Sequence, residues 1–64
     1  MTTEQVFEKI AAHRKVTDFI NWTREMGLTI SVRTFYRAVE HDGATARQRL
    51  ILEKARAYAE TLPA

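Results

Sequence analysis

Apolar residues recur at helical spacing along almost the whole of this 64-residue chain, and residues that start or stop helices bracket each stripe. Thr2 can cap a first helix, with Gln5 three residues later completing a capping box. Val6, Phe7, Ile10 and Ala11 then give that helix one apolar face, running to about His13. Val16, Phe19, Ile20, Thr23 and Met26 form a second stripe, which predicts a helix over about 16–26 with Gly27 as its left-handed stop. Arg14 and Lys15 lie between the two with no Gly, Pro or Asn to mark a break, so this boundary is the least defined.

Leu28, Thr29 and Ile30 read as a turn whose two apolar residues dip into the core. The competing reading for 28–32 is a short strand, since Thr, Ile and Val favour strands, but it would have no partner. Ser31 is a good N-cap for a third helix over about 32–41. Phe35, Ala38 and Val39 make its inner face and leave Val32, Arg33, Tyr36, Arg37 and Glu40 outward. His41, Asp42 and Gly43 end it. Thr45 caps a fourth helix over about 46–61, with Leu50, Ile51, Ala55, Tyr58, Ala59 and Leu62 on its apolar face and Pro63 as its stop. Leu50 together with Leu52 widens that stripe and leaves surface for a partner. The expected architecture is all-α: one domain, 1–64, built as a small bundle of about four short helices.

A chain of this length buries only about 60% of its unfolded surface, so its stability is marginal. It has no cysteine and no cluster of metal ligands, so neither kind of staple is expected. Helix packing, a homodimer, or both must supply the stability. At 45% hydrophobic and 28% charged residues, the composition is that of a folded domain and not of a disordered one. No apolar run approaches the roughly 20 residues of a membrane span and no signal-peptide pattern opens the chain, so no membrane partner and a cytoplasmic location are expected.

The net charge of +2 is unevenly placed. Cations and anions balance over residues 1–26, so the whole excess lies in 27–64, where five of the six cations are arginines. The planar guanidinium fork suits phosphates and guanine edges. A capped helix with arginines four residues apart, no acid before Glu40 and an apolar underside is suited to the major groove of duplex DNA. On this reading Val32 touches a thymine methyl, Arg33 and Arg37 donate to base edges, and Tyr36 stacks or donates to phosphate. Ser31 and the amides at the positive helix end meet a phosphate.

The run Ser31-Val32-Arg33-Thr34-Phe35-Tyr36-Arg37-Ala38-Val39 resembles the recognition helix of bacterial and phage helix-turn-helix regulators, the lac-repressor family in particular. The resemblance spans roughly residues 16–58. It implies that Val32 and Arg33 are the principal base readers with Arg37 beside them, and that Ser31 and Thr34 face phosphate or hold the helix. The following Thr45-Ala46-Arg47-Gln48-Arg49-Leu50 is similar to the capped, basic start of the next helix in that family, which makes Arg47 and Arg49 phosphate candidates. Two positions depart from the pattern: the cap stands four residues after Gly27 in place of two, and Thr23 stands where a small residue, usually Ala, is found.

Other chemistry is poorly supported. His13 and His41 are 28 residues apart with no paired ligand spacing, no nucleophile–base arrangement can be assembled, and no small-molecule substrate or cofactor is evident, so an enzyme is not expected. The rival function is a helical adaptor or inhibitor that binds a protein through the region of Trp22 or through the last helix with Leu52, Tyr58 and Leu62.

Overall fold

In the computed structural model, which describes residues 2–63, the chain folds into four helices: α1 (Thr3–Ala12), α2 (Val16–Glu25), α3 (Val32–Glu40) and α4 (Ala46–Glu60). No strand forms among the described residues, and 28–31 connects α2 to α3 without regular secondary structure. Every pair of helices is in contact, with α4 lying most fully against α1 and α3.

The local chemistry sets the starts. Thr2 Oγ1 accepts from Gln5 N–H while Gln5 Oε1 accepts from Thr2 N–H, so both ends of a capping box are closed. Thr45 and Gln48 repeat the device at α4. Ser31 Oγ accepts from Thr34 N–H at 3.1 Å and starts α3. Lys15, ahead of α2, provides no side-chain cap.

All three inter-helix breaks use one backbone device. After α1, Arg14 N–H bonds to Ala11 C=O and Lys15 N–H to Ile10 C=O. The same pair of bonds recurs after α2, from Gly27 and Leu28, and after α3, from Asp42 and Gly43. These are Schellman motifs, which need a left-handed residue just past the helix. Arg14 (φ 56°), Gly27 (φ 89°) and Asp42 (φ 49°) fill that place. An arginine therefore supplies the stop that the sequence leaves unmarked between α1 and α2.

The core holds Val6, Ile10, Phe19, Ile20, Ile30, Phe35, Ala38, Ile51, Leu52, Ala55 and Ala59. Its centre is aromatic. Phe19 and Phe35 are wholly buried with ring centroids 4.7 Å apart. Phe19 also meets Trp22 (6.2 Å) and Tyr58 (5.5 Å), and Phe35 meets Phe7 (5.6 Å) and Tyr36 (6.4 Å). All six aromatic residues of the chain thus join one cluster that draws on all four helices. Thr23 is the one buried polar side chain among the described residues, and its hydroxyl donates to Ile20 C=O at 2.8 Å.

Three expectations for the apolar faces are corrected. Ala11 and Met26 are exposed, Met26 by 51%, although Ile10, next to Ala11, is wholly buried. On α4 the core side is Ile51, Leu52, Ala55 and Ala59, with Tyr58 and Leu62 half-buried, and Leu50 faces out. Leu50 and Leu52 are two residues apart and so lie on different faces of a helix. The α4 stripe consequently offers no extra width through Leu52.

Candidate nucleic-acid interface

α3 is held by its underside. Phe35 and Ala38 are fully buried, and Val32 and Val39 pack half-buried along the core's edge. The side chains that remain decide what the helix can present. Arg33 and Arg37 lie one turn apart on its exposed face, and among the described residues neither guanidinium has a hydrogen bond or an ion pair. The first turn carries no acid, and Glu40 is the only carboxylate of the helix, at its last position.

Of the four base-reading candidates, Arg33 and Arg37 share this outward face. Val32 is turned partly into the core, which leaves only part of its side chain free. Tyr36 is 47% exposed, but its ring stands edge-on to Phe7 at 5.3 Å and lies on the α1 side of the helix with Val39 and Glu40.

The phosphate candidates are divided between the two ends of α3. At the N-terminal end, Ser31 Oγ and Thr34 Oγ1 are 3.0 Å apart and hydrogen-bonded to each other. Arg47, in the first turn of α4, reaches the same end: its Nη2 donates to Thr29 C=O at 3.1 Å, in the connection that leads into α3. Arg49 goes the other way. Its Nη1 donates to Gly43 C=O at 3.3 Å, just past the C-terminal end of α3, where it lies among Asp42, Leu52, Glu53 and Arg56. Ser31, Thr34 and Arg47 form one group; Arg49 stands apart from them.

Gln48 is a positioning residue that sequence reasoning passed over. Its Oε1 accepts from Ala44 N–H at 2.9 Å and from Thr45 N–H at 3.3 Å. Its Nε2 donates to His41 Nδ1 at 3.1 Å. One side chain thereby caps α4 and ties it to the end of α3. The spacing Thr45-x-x-Gln48, the same as Thr2-x-x-Gln5, is the signal that could have found it.

The surfaces named for a protein-binding role are largely used inside the fold. Trp22 is half-buried against Phe19 and Tyr58, the latter at 5.3 Å, and Leu52 is 7% exposed. Among the described residues no group of three or more His, Asp or Glu side chains is placed to hold a metal ion, and no helix is long and apolar enough to cross a membrane. Comparison with known proteins finds no matching family, no similar curated sequence and no similar solved structure.

Proposed function

We propose that the protein is a small, sequence-specific reader of duplex DNA, a regulator that works by occupying its site without catalysis. α3 enters the major groove, as the second helix of a divergent helix-turn-helix formed with α2. One observation carries the reading: Arg33 and Arg37 project together from a helix whose opposite side is fixed in the aromatic core, and both are without partners among the described residues. A free guanidinium can donate two hydrogen bonds to the O6 and N7 edge of guanine. Fixing the helix from below means that little conformational freedom is lost on docking.

The N-terminal end of α3 and Arg47 meet the backbone on one side of the groove. Positive helix end and cation act together there, because the dipole and the unpaired amides of the first turn attract the same phosphate. The long connection from Gly27 to Ser31 is spanned by buried Ile30 and by the Arg47–Thr29 bond, which hold α3 in place relative to its neighbours. A single copy offers few contacts, so two copies pairing as a homodimer on the duplex, one on each half-site, would supply both affinity and specificity. A cytoplasmic site of action follows from this function.

The test is fluorescence anisotropy with a randomised duplex pool at low salt, followed by selection for a preferred site. Binding that weakens with added salt and converges on a sequence is the expected result. No binding to any duplex at low salt would remove the proposal.

A further inference from the structure

A second surface has a different chemistry. Phe7, Tyr36 and Val39 floor an apolar groove between α1 and α3. Glu4 and Glu8 from α1 and Glu40 from α3 rim it. Among the described residues none of these three carboxylates forms an ion pair within the chain. The surface therefore combines exposed aromatic area with carboxylates that are in no ion pair among the described residues, with Arg56 as the nearby cation in the recess adjoining Glu4. Two copies meeting groove to groove would set these carboxylates against their own counterparts, which opposes a symmetric dimer through this face.

The chain itself carries the complementary surface. Leu50 is 41% exposed on the outward side of α4. Arg47 stands one turn before it and the half-buried Lys54 one turn after it. Glu53, the nearby acid, is on the other flank with Arg49 and Arg56. An aliphatic side chain between two cations fits an aromatic floor between carboxylates, in both polarity and charge.

We propose that the protein associates head to tail. Leu50 of one copy seats on Phe7, Tyr36 and Val39 of the next, with Lys54 and, when it is not on a DNA phosphate, Arg47 beside Glu4, Glu8 and Glu40. Groove and stripe are different surfaces, so the contact is heterologous and each added copy leaves one of each exposed. Growth continues into an array or closes into a ring. The association does not rest on DNA binding and is measured without DNA.

Sedimentation equilibrium of the intact protein at low salt, from micromolar to millimolar concentration, tests it. The average mass should rise with concentration beyond that of a dimer and fall when salt is added. Leu50→Ser, Glu40→Lys and Lys54→Glu should each weaken association by roughly tenfold while far-UV circular dichroism stays unchanged. Mixing the Glu40→Lys and Lys54→Glu proteins should bring association back above that of either protein alone, because each groove then finds a stripe of opposite charge. A monomer at all concentrations would overturn the proposal, as would a closed dimer that grows no further. Association indifferent to the three substitutions would overturn it too, as would a monomer whose groove takes up an added basic amphipathic peptide.

Discussion

Three left-handed residues end three helices, and their side chains make the cost unequal. Gly27 has no Cβ to crowd the carbonyl, whereas Arg14 adopts φ 56° with one. The left-handed conformation costs a residue with a Cβ roughly 1–2 kcal/mol. Arg14→Gly should therefore raise stability by about 1 kcal/mol and Tm by roughly 4–8 °C in a domain of this size. Gly27→Ala should lower it by about 1 kcal/mol, through backbone strain alone, since a Cβ there would meet nothing within 4 Å. Gly43→Ala, at the left-handed residue that follows Asp42, should be the most destabilising of these variants. Its φ is +72°, and a Cβ would stand 3.0 Å from Arg49 Cγ and 3.2 Å from Leu52 Cδ1. Thermal melts of the three variants followed by circular dichroism check both the signs and the order. The break at Arg14 was not legible in the sequence because arginine carries no left-handed preference. The compact turn between α1 and α2 imposes that conformation.

At the scale of elements, α3 is a helix with a division of labour around its axis. Its buried side fixes its position and its exposed side carries the free arginines. The capping bond from Ser31 holds its first turn, so Ser31→Ala should cost about 1 kcal/mol of stability. On the DNA reading the arginines separate by role. Arg33→Ala should cost about 1–3 kcal/mol of binding and relax the preference at one base pair. Arg47→Ala should weaken binding to all sequences alike and reduce the salt slope by about 1. Arg49→Ala should leave DNA affinity nearly unchanged, because its guanidinium is turned to Gly43 at the opposite end of α3. Anisotropy titrations at several salt concentrations distinguish the three outcomes. The sequence alone grouped Arg47 and Arg49 together, since both sit in the first turn of a basic helix. Two positions apart on a helix, however, they leave it in different directions, and each finds a different loop carbonyl.

The whole molecule is organised by its aromatic cluster. Phe19 and Phe35 form the hub, Phe7 reaches it from α1, Trp22 from α2 and Tyr58 from α4. Truncating the hub leaves a cavity that a four-helix chain has little material to fill. Phe19→Ala should cost roughly 3–5 kcal/mol, most of the stability of a domain near the lower end of the usual range, about 5 kcal/mol. Urea titration by far-UV circular dichroism should show a variant with only about 0–2 kcal/mol left and its transition moved close to zero denaturant, while the exposed substitution Met26→Ala should stay within about 0.5 kcal/mol of the parent.

What the sequence by itself determined is local: four helices, three of their caps, the Gly27 stop and the inward turn of Leu28 and Ile30. Those features depend on hydrogen bonds within a few residues and on a repeat of 3.6, both of which are written in linear order. What only the tertiary structure decided is how the faces are shared out. Leu52 is core and Leu50 is surface, Tyr36 turns to Phe7, and Arg47 and Arg49 part company. Glu4, Glu8 and Glu40 meet around one groove, although two of them sit in the half of the chain where charges balance. Each of these outcomes depends on where a neighbouring helix lies, and that is set by packing the aromatic cluster. Spacing along the chain does not encode it.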